Sequence, residues 1–256
     1  MKRRLAVIGI GAGNPDHVTV QAVKAMNRVD VFFIPNKGGE KQELARIREE
    51  ILGRHVSNSS FRSVVFDLPL RGMGTDYDAS VMKWHQDVEA VYGELIAEEL
   101  TPSQTGAFLV WGDPTLYDST IRILDRLKAR GDFELEYEVF PGISSVQALA
   151  AEHKVTLNEI GHSILITSGR DLAASFPDNA DSVVVLLNAE KALRQADTGS
   201  DVFWGAYLGT PDQILVAGKL GDVVDDIERI RAEARRKKGW IMDIALMKRR
   251  RRGESL

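Results

Sequence analysis

The residues best suited to chemistry in this chain sit in two tight turns and one glycine-rich loop. The run Ala107-Phe108-Leu109-Val110 reads as a buried parallel strand, and it stops abruptly at Trp111-Gly112-Asp113-Pro114. Gly112 admits a close backbone approach, Asp113 offers a carboxylate, and Pro114 ends ladder pairing. Ligands of open α/β sheets lie beyond the carboxyl ends of the strands, so this turn is a candidate binding site. An ordinary strand-to-helix turn capped by Asp113 accounts for the same residues. The first apolar run ends in Gly9-Ile10-Gly11-Ala12-Gly13. Against the dinucleotide fingerprint its third glycine falls one residue early, and Asn14-Pro15-Asp16 intervenes before a helix. Asp30 is near the distance of a ribose-binding acid but precedes a strand instead of ending one. NAD binding is therefore weakly supported, and a tight turn packing helix on sheet explains the loop as well. In the second turn, Pro141-Gly142-Ile143-Ser144-Ser145, two small hydroxyl residues lead into a helix, where N-capping is their ordinary use.

The elements that must position these turns follow from hydrophobic spacing. Strands are expected at 5–11, 30–35, 64–68, 107–110 and 136–140, with helices at 19–28, 40–52, 80–99 and 119–130. Leu44, Ile47 and Ile51 mark one apolar face of the second helix, and Gly131 is placed to cap the fourth. Residues 71–78 read as a polar loop. This βα alternation predicts a mostly parallel sheet with helices on its faces. Beyond it the pattern changes to short strands at 162–167, 182–187, 201–208, 214–219 and 240–247, with main helices at 190–196 and 223–235. That mixture predicts a second, α+β domain with a mixed sheet. The expected domains are 1–143 and 144–256.

Composition narrows the function classes. The chain has 256 residues, 44% hydrophobic and 27% charged, ordinary for a soluble globular enzyme. Its 33 basic and 37 acidic residues leave a formal charge of −4, which argues against nucleic acid as a partner. The basic run Lys248-Arg249-Arg250-Arg251-Arg252 reads as a solvated terminus. No apolar run approaches the roughly 18–20 residues that span a bilayer, so no membrane partner is expected. Met1-Lys2-Arg3-Arg4 superficially suggests a secretory leader, but the following apolar run breaks at once into glycines. There are no cysteines, which excludes disulfides, thiolate catalysis and cysteine-held metals and fits a reducing cytoplasm. No metal site is expected.

Taken in order, the first glycine loop, the Gly112-Asp113-Pro114 turn and the Pro141-Gly142-Ile143-Ser144 turn resemble the tetrapyrrole methylases, S-adenosylmethionine-dependent enzymes of corrin and sirohaem synthesis. The segments Asn36-Lys37-Gly38-Gly39, Arg46-Ile47-Arg48, Trp84-His85, Ile166-Thr167-Ser168-Gly169-Arg170, Trp204-Gly205-Ala206-Tyr207-Leu208-Gly209-Thr210 and Gly239-Trp240-Ile241-Met242-Asp243 narrow the resemblance. They are similar to the branch that methylates precorrin-5 at C-1 and releases its acetyl group as acetate, giving precorrin-6A in cobalamin synthesis. The resemblance runs from Leu5 to about Met247.

What the resemblance implies can be set out residue by residue. The fold would be the α/β tetrapyrrole methylase fold, with S-adenosylmethionine bound between the two domains. Cofactor contacts would fall to Ile10, Trp111, Gly112, Asp113, Leu116, Ser144, Ser145, Leu187, Gly209 and Ala245, several of them through backbone groups. Methyl transfer needs little more than alignment of the reacting atoms at roughly 3–3.5 Å. Acetyl loss needs water to attack a carbonyl and a base to take its proton. His17, Asp16, His85 and Asp118 are candidate bases, with Tyr117 as a donor to the carbonyl oxygen. Substrate carboxylates would suit Lys37, Arg46, Arg71 and Arg170, although each also reads as a solvated surface charge. His55, His153 and His162 are expected to be structural. A homodimer is implied, with Trp84 and Trp204 as aromatic anchors. Another ring position or a different substrate, a nucleotide-binding regulator or an NAD-dependent enzyme stand as the alternatives.

Overall fold

The computed structural model describes residues 2–36, 42–69, 77–172, 180–187 and 189–249. The chain divides into two compact units, Met1–Ser144 and Ser145–Leu256. In the first, β1 (Lys2–Gly9), β2 (Val31–Asn36), β3 (Arg62–Asp67), β4 (Thr105–Val110) and β5 (Glu134–Phe140) form one sheet in the order β3-β2-β4-β1-β5. Every pairing is parallel. Helices α1 (Val20–Met26), α2 (Gln42–His55), α3 (Tyr77–Glu99) and α4 (Thr120–Arg130) connect the strands.

Side chains of a strand alternate between faces, and β1 shows the consequence. Leu5 and Val7 join a core with Phe33, Phe108 and the helical residues Tyr92, Ile96, Ile123 and Leu124. Ala6 and Ile8 join a second core with Met26, Ile47 and Ile51. Both faces are covered, which is why these strands read as continuous apolar runs.

In the second unit, α5 (Ser145–His153) precedes β6 (Ile164–Ser168), β7 (Ser182–Leu186), α6 (Ala189–Gln195), β8 (Asp201–Ala206), β9 (Ile214–Lys219), α7 (Leu220–Lys238) and β10 (Asp243–Lys248). The sheet order is β6-β7-β10-β8-β9, with β6 parallel to β7 and the remaining pairs antiparallel. A buried polar cluster ties its helices to its centre. Arg231 donates to Asp243 Oδ2 (2.9 Å) and Glu190 Oε2 (2.6 Å), and Trp204 Nε1 donates to the same Asp243 oxygen (3.2 Å).

Several element ends differ from the expectation. β1 stops at Gly9, because Gly11 takes the left-handed conformation (φ +82°) and forms an antiparallel bridge to Gly112. Tyr77 and Asp78, expected in a loop, begin α3; the rest of that segment lies outside the described residues. β10 starts at Asp243, since Trp240 instead packs edge-on against Tyr207 and accepts the Tyr207 hydroxyl proton at its carbonyl (2.6 Å). His162 lies before β6 and pairs with Asp181 (2.9 Å). Trp204 is wholly enclosed within the second unit, so it is no interface anchor.

Candidate active site

The three motifs meet at the carboxyl ends of β1, β4 and β5. The Gly112 N–H donates to Gly11 O (2.8 Å), and the Ile10 N–H donates to Val110 O (2.9 Å). A Cβ on Gly142 would stand 2.1 Å from Gly112 O and 2.8 Å from Gly9 C, and one on Gly9 would stand 2.5 Å from Gly142 N. Only glycine lets these three backbones approach so closely. Asp113 holds the junction together. Its Oδ2 accepts the Gly142 N–H (2.8 Å), while Oδ1 accepts the Thr115 N–H (2.8 Å) and the Thr115 hydroxyl. With both carboxylate oxygens engaged by the chain itself, Asp113 is a positioning residue for the strand-end turns.

Beside this junction the first unit contains a cavity of about 660 Å³ at the carboxyl ends of β2, β3 and β4. Its apolar wall includes Phe33, Val88, Phe108, Leu109 and Val110, with Trp111 and Trp84 also lining it. The Trp84 indole donates to Pro69 O (2.8 Å). Polar residues also line this space, among them Arg48 from α2, Tyr92 from α3, Asp118 from the turn before α4, and Asn36 and Asp67 at the ends of β2 and β3. Arg48 is only 5% exposed. Its Nε donates to Leu109 O (3.0 Å) and its Nη1 to Leu44 O (2.9 Å). Burial pulls its pKa down to about 10, opposed by nearby Tyr92 and Asp118, so it remains a cation at neutral pH. The Tyr92 ring stacks on Phe108 at 4.3 Å, and its hydroxyl bonds the Thr120 side chain. Burial, reinforced by the Asp118 charge, pushes the Tyr92 phenol well above its ordinary range. Asp118 accepts the Thr120 N–H at Oδ1 (2.7 Å), an N-terminal tether that orients its carboxylate. Together these groups can hold a neutral or anionic oxygen against a mostly apolar wall.

Of the sequence-derived candidates, Trp111 and Asp118 line the cavity. Ile10, Gly112, Leu116 and Ser144 lie in or beside the strand-end junction, with Ile10 and Ser144 buried. His17 follows the glycine loop; its Cβ lies 2.5 Å from where a Gly11 Cβ would stand, and its buried Nδ1 makes no hydrogen bond among the described residues. Asp16 faces solvent and pairs with Arg54 (3.7 Å). Tyr117 is half-exposed with φ +53° and does not line the cavity, nor does His85, whose ring lies against Trp84. Arg46 is exposed on α2, and Arg170 is exposed beside Asp171. Lys37 and Arg71 lie outside the described residues.

In the second unit, Ser145 opens α5. Leu187 follows the last residue of β7 with φ +61° and is 57% exposed, so it is not core packing. A left-handed, exposed leucine is a costly arrangement of the kind that marks ligand sites. Gly209 also has a positive φ (+73°), and its N–H donates to Gln213 Oε1 (2.8 Å). Ala245 is a correction: it is fully buried in β10 between Val185 and Trp204, which leaves it no surface for a ligand. His55 and His153 bond the carbonyls of Pro15 and Trp204 (both 3.0 Å).

Arg48 and Tyr92 are the site residues that motif reading missed. Both carried a signal. Arg48 shares the apolar stripe of Leu44, Ile47 and Ile51, and Tyr92 shares that of Val88 and Ile96. A cation on a buried stripe is an anomaly that calls for a partner.

A parallel sheet with interlocked glycine turns, and a buried cation facing a largely apolar cavity, defines an α/β enzyme that binds a small molecule at its strand ends. The chain belongs to the tetrapyrrole (corrin/porphyrin) methylases, whose family profile matches residues 4–224. It is 49% identical over 248 residues to a precorrin-6A synthase [deacetylating] of Sinorhizobium sp, covering 96% of this chain and 95% of the relative. Among solved structures, it resembles a cobalamin synthesis related protein from Corynebacterium diphtheriae, with a TM-score of 0.81, 30% identity and coverage of 97% and 98%. The uroporphyrin-III C-methyl transferase of Thermus thermophilus, solved with S-adenyl homocysteine, shares the fold at a TM-score of 0.57 and 17% identity, covering 96% of this chain and 92% of that one.

Proposed function

We propose that this chain methylates precorrin-5 at C-1 and releases the acetyl group as acetate, giving precorrin-6A in cobalamin synthesis. The observation that carries this reading is the 49% identity to a precorrin-6A synthase across nearly the whole of both chains. The cavity adds chemical support, because a corrin precursor needs an apolar wall for its ring and polar groups for its substituents.

S-Adenosylmethionine, when bound, supplies the electrophilic methyl group. The residues assigned to it suit a sulfonium cation. Ile10, Trp111, Gly112, Leu116, Ser144, Ser145, Leu187 and Gly209 bring backbone groups, hydroxyls and apolar surface but no cation. Asp113 contributes by holding the Gly112 and Gly142 turns in register. For acetyl loss, Asp118 is the base that the cavity favours among the candidates, since it lines the space while Asp16 faces solvent. His17, on the glycine loop, is the second candidate. The same reading makes the protein a cytoplasmic homodimer; among the described residues no helix is long and apolar enough to cross a membrane.

The test is mass spectrometry of precorrin-5 incubated with the protein and methyl-labelled S-adenosylmethionine. The expected product gains one labelled methyl and loses the acetyl group. An unchanged precorrin-5, with a folded protein that still binds S-adenosylhomocysteine, would leave the family assignment standing and reject this substrate.

A further inference from the structure

We propose that Arg48 and Asp118 form the acetyl-cleaving pair of this enzyme, with Arg48 Nη2 holding the acetyl oxygen and Asp118 taking the proton of the attacking water. The inference rests on the precorrin-5 reading above and deepens it by assigning the groups that break the carbon–carbon bond.

The guanidinium is the unusual feature. It is 5% exposed, charged, and lines a cavity whose wall is largely apolar. Its hydrogen bonds go to backbone carbonyls, and Asp118 lines the same space near enough for its charge to act on the guanidinium. A buried cation left in this way is poised for a ligand oxygen. The kind of oxygen follows from its neighbours. Nε donates to Leu109 O and one Nη1 N–H donates to Leu44 O, so Nη2 makes no hydrogen bond among the described residues and faces a ligand oxygen. Asp118 in the same cavity repels a propionate or acetate arm but not a neutral acetyl group. The apolar wall of Val88 and Phe108 suits the acetyl methyl.

Asp118 is oriented for its part. The Thr120 N–H engages Oδ1, and Oδ2 accepts no hydrogen bond among the described residues. Water adds to the acetyl carbonyl carbon as Asp118 accepts one of its protons, and the oxyanion that forms is held by Arg48 Nη2. Collapse of this adduct breaks the bond between C-1 and the acetyl carbon and releases acetic acid, which ionises to acetate. The electron pair stays on C-1, delocalised into the macrocycle, and is the pair used in the new bond to the methyl group. One water is consumed, and no oxidant or reductant is required.

The experiment compares the wild type with Arg48→Gln, Arg48→Lys and Asp118→Asn on precorrin-5 and S-adenosylmethionine in oxygen-18 water. It follows acetate release, oxygen-18 in the acetate, and S-adenosylhomocysteine affinity by calorimetry. The wild type should place one labelled oxygen in acetate. Asp118→Asn, which keeps the acceptor for the Thr120 N–H, should slow acetate release by about 10²–10⁴-fold. Arg48→Gln should slow it by about 10²–10³-fold, in kcat and not KM, with the lysine variant in between. S-Adenosylhomocysteine affinity should stay within about twofold. Acetate release within about threefold of wild type in Asp118→Asn or in a folded Arg48→Gln overturns the pair, as does a loss confined to KM, the sign of a carboxylate-holding role. If Arg48→Gln fails to fold, Asp118→Asn decides alone. A wild type that releases no acetate rejects the precorrin-5 reading itself.

Discussion

Asp113 shows how one side chain can be indispensable without touching a reactant. Its carboxylate receives a backbone N–H from each of two turns that are distant in sequence. Hydrogen bonds to a charged group contribute roughly 1.5–3 kcal/mol. Asp113→Ala should therefore lower stability in urea by about that amount and reduce S-adenosylhomocysteine affinity or turnover, and unchanged values in both would show that the junction holds without it. Tyr137 offers a pH test. Burial, assisted by its hydrogen bond to Asp125, raises its phenol to about 12. A phenol whose pKa is raised on folding stabilises the fold below its unfolded value, roughly 10, and loses that contribution as pH climbs through about 12. Ultraviolet absorbance titration should show late-ionising tyrosines, and the component near 12 should disappear in Tyr137→Phe while that of Tyr92 remains. At this scale the motifs were legible, because glycine, proline and aspartate have few alternative uses. Arg48 escaped because its meaning depends on what surrounds it, whereas Arg46, two residues earlier, is exposed.

Helices and strands were largely readable from spacing, and their ends much less so. Leu44, Ile47 and Ile51 mark the buried stripe of α2 as the helical period predicts. Gly131 ends α4 with φ +74°, as its position suggested. A Cβ there would meet no atom within 4 Å, so a substitution is felt through backbone strain alone. Gly131→Ala should destabilise by about 1–2 kcal/mol in urea unfolding, and Gly131→Asn by less. The extent of α7 was underestimated. It runs on through Arg235, Arg236, Lys237 and Lys238, cations that favour a helix carboxyl end, to a left-handed Gly239. The early end of β1 was illegible because its cause, the Gly11 bridge to Gly112, joins residues a hundred positions apart.

For the whole molecule, composition bounded the class while the topology located the site. In the first unit β4 lies between β2 and β1, so segments from 9–13 and 111–113 become neighbours. The basic tail has no part in the proposed chemistry. Removing residues 250–256 should leave kcat/KM within about twofold and produce no change in nucleic-acid binding; a large loss would require a role for those arginines. The proposed homodimer predicts a sedimentation mass near twice the 28.4 kDa of one chain. Trp204 cannot serve such an interface, because it is already committed to the core of its own unit.

The sequence by itself determined the βα alternation, the change to a mixed sheet, the three turn motifs and, through their ordered resemblance, the family. These are local signals: apolar period, turn chemistry and conformational freedom act over a few residues. Only the tertiary structure decided that Asp113 staples two turns, that Ala245 is sealed inside a sheet, and that Arg48 and Asp118 line one cavity. Each of those facts depends on which distant backbones the sheet order brings within a hydrogen bond's length, and no local pattern encodes that distance.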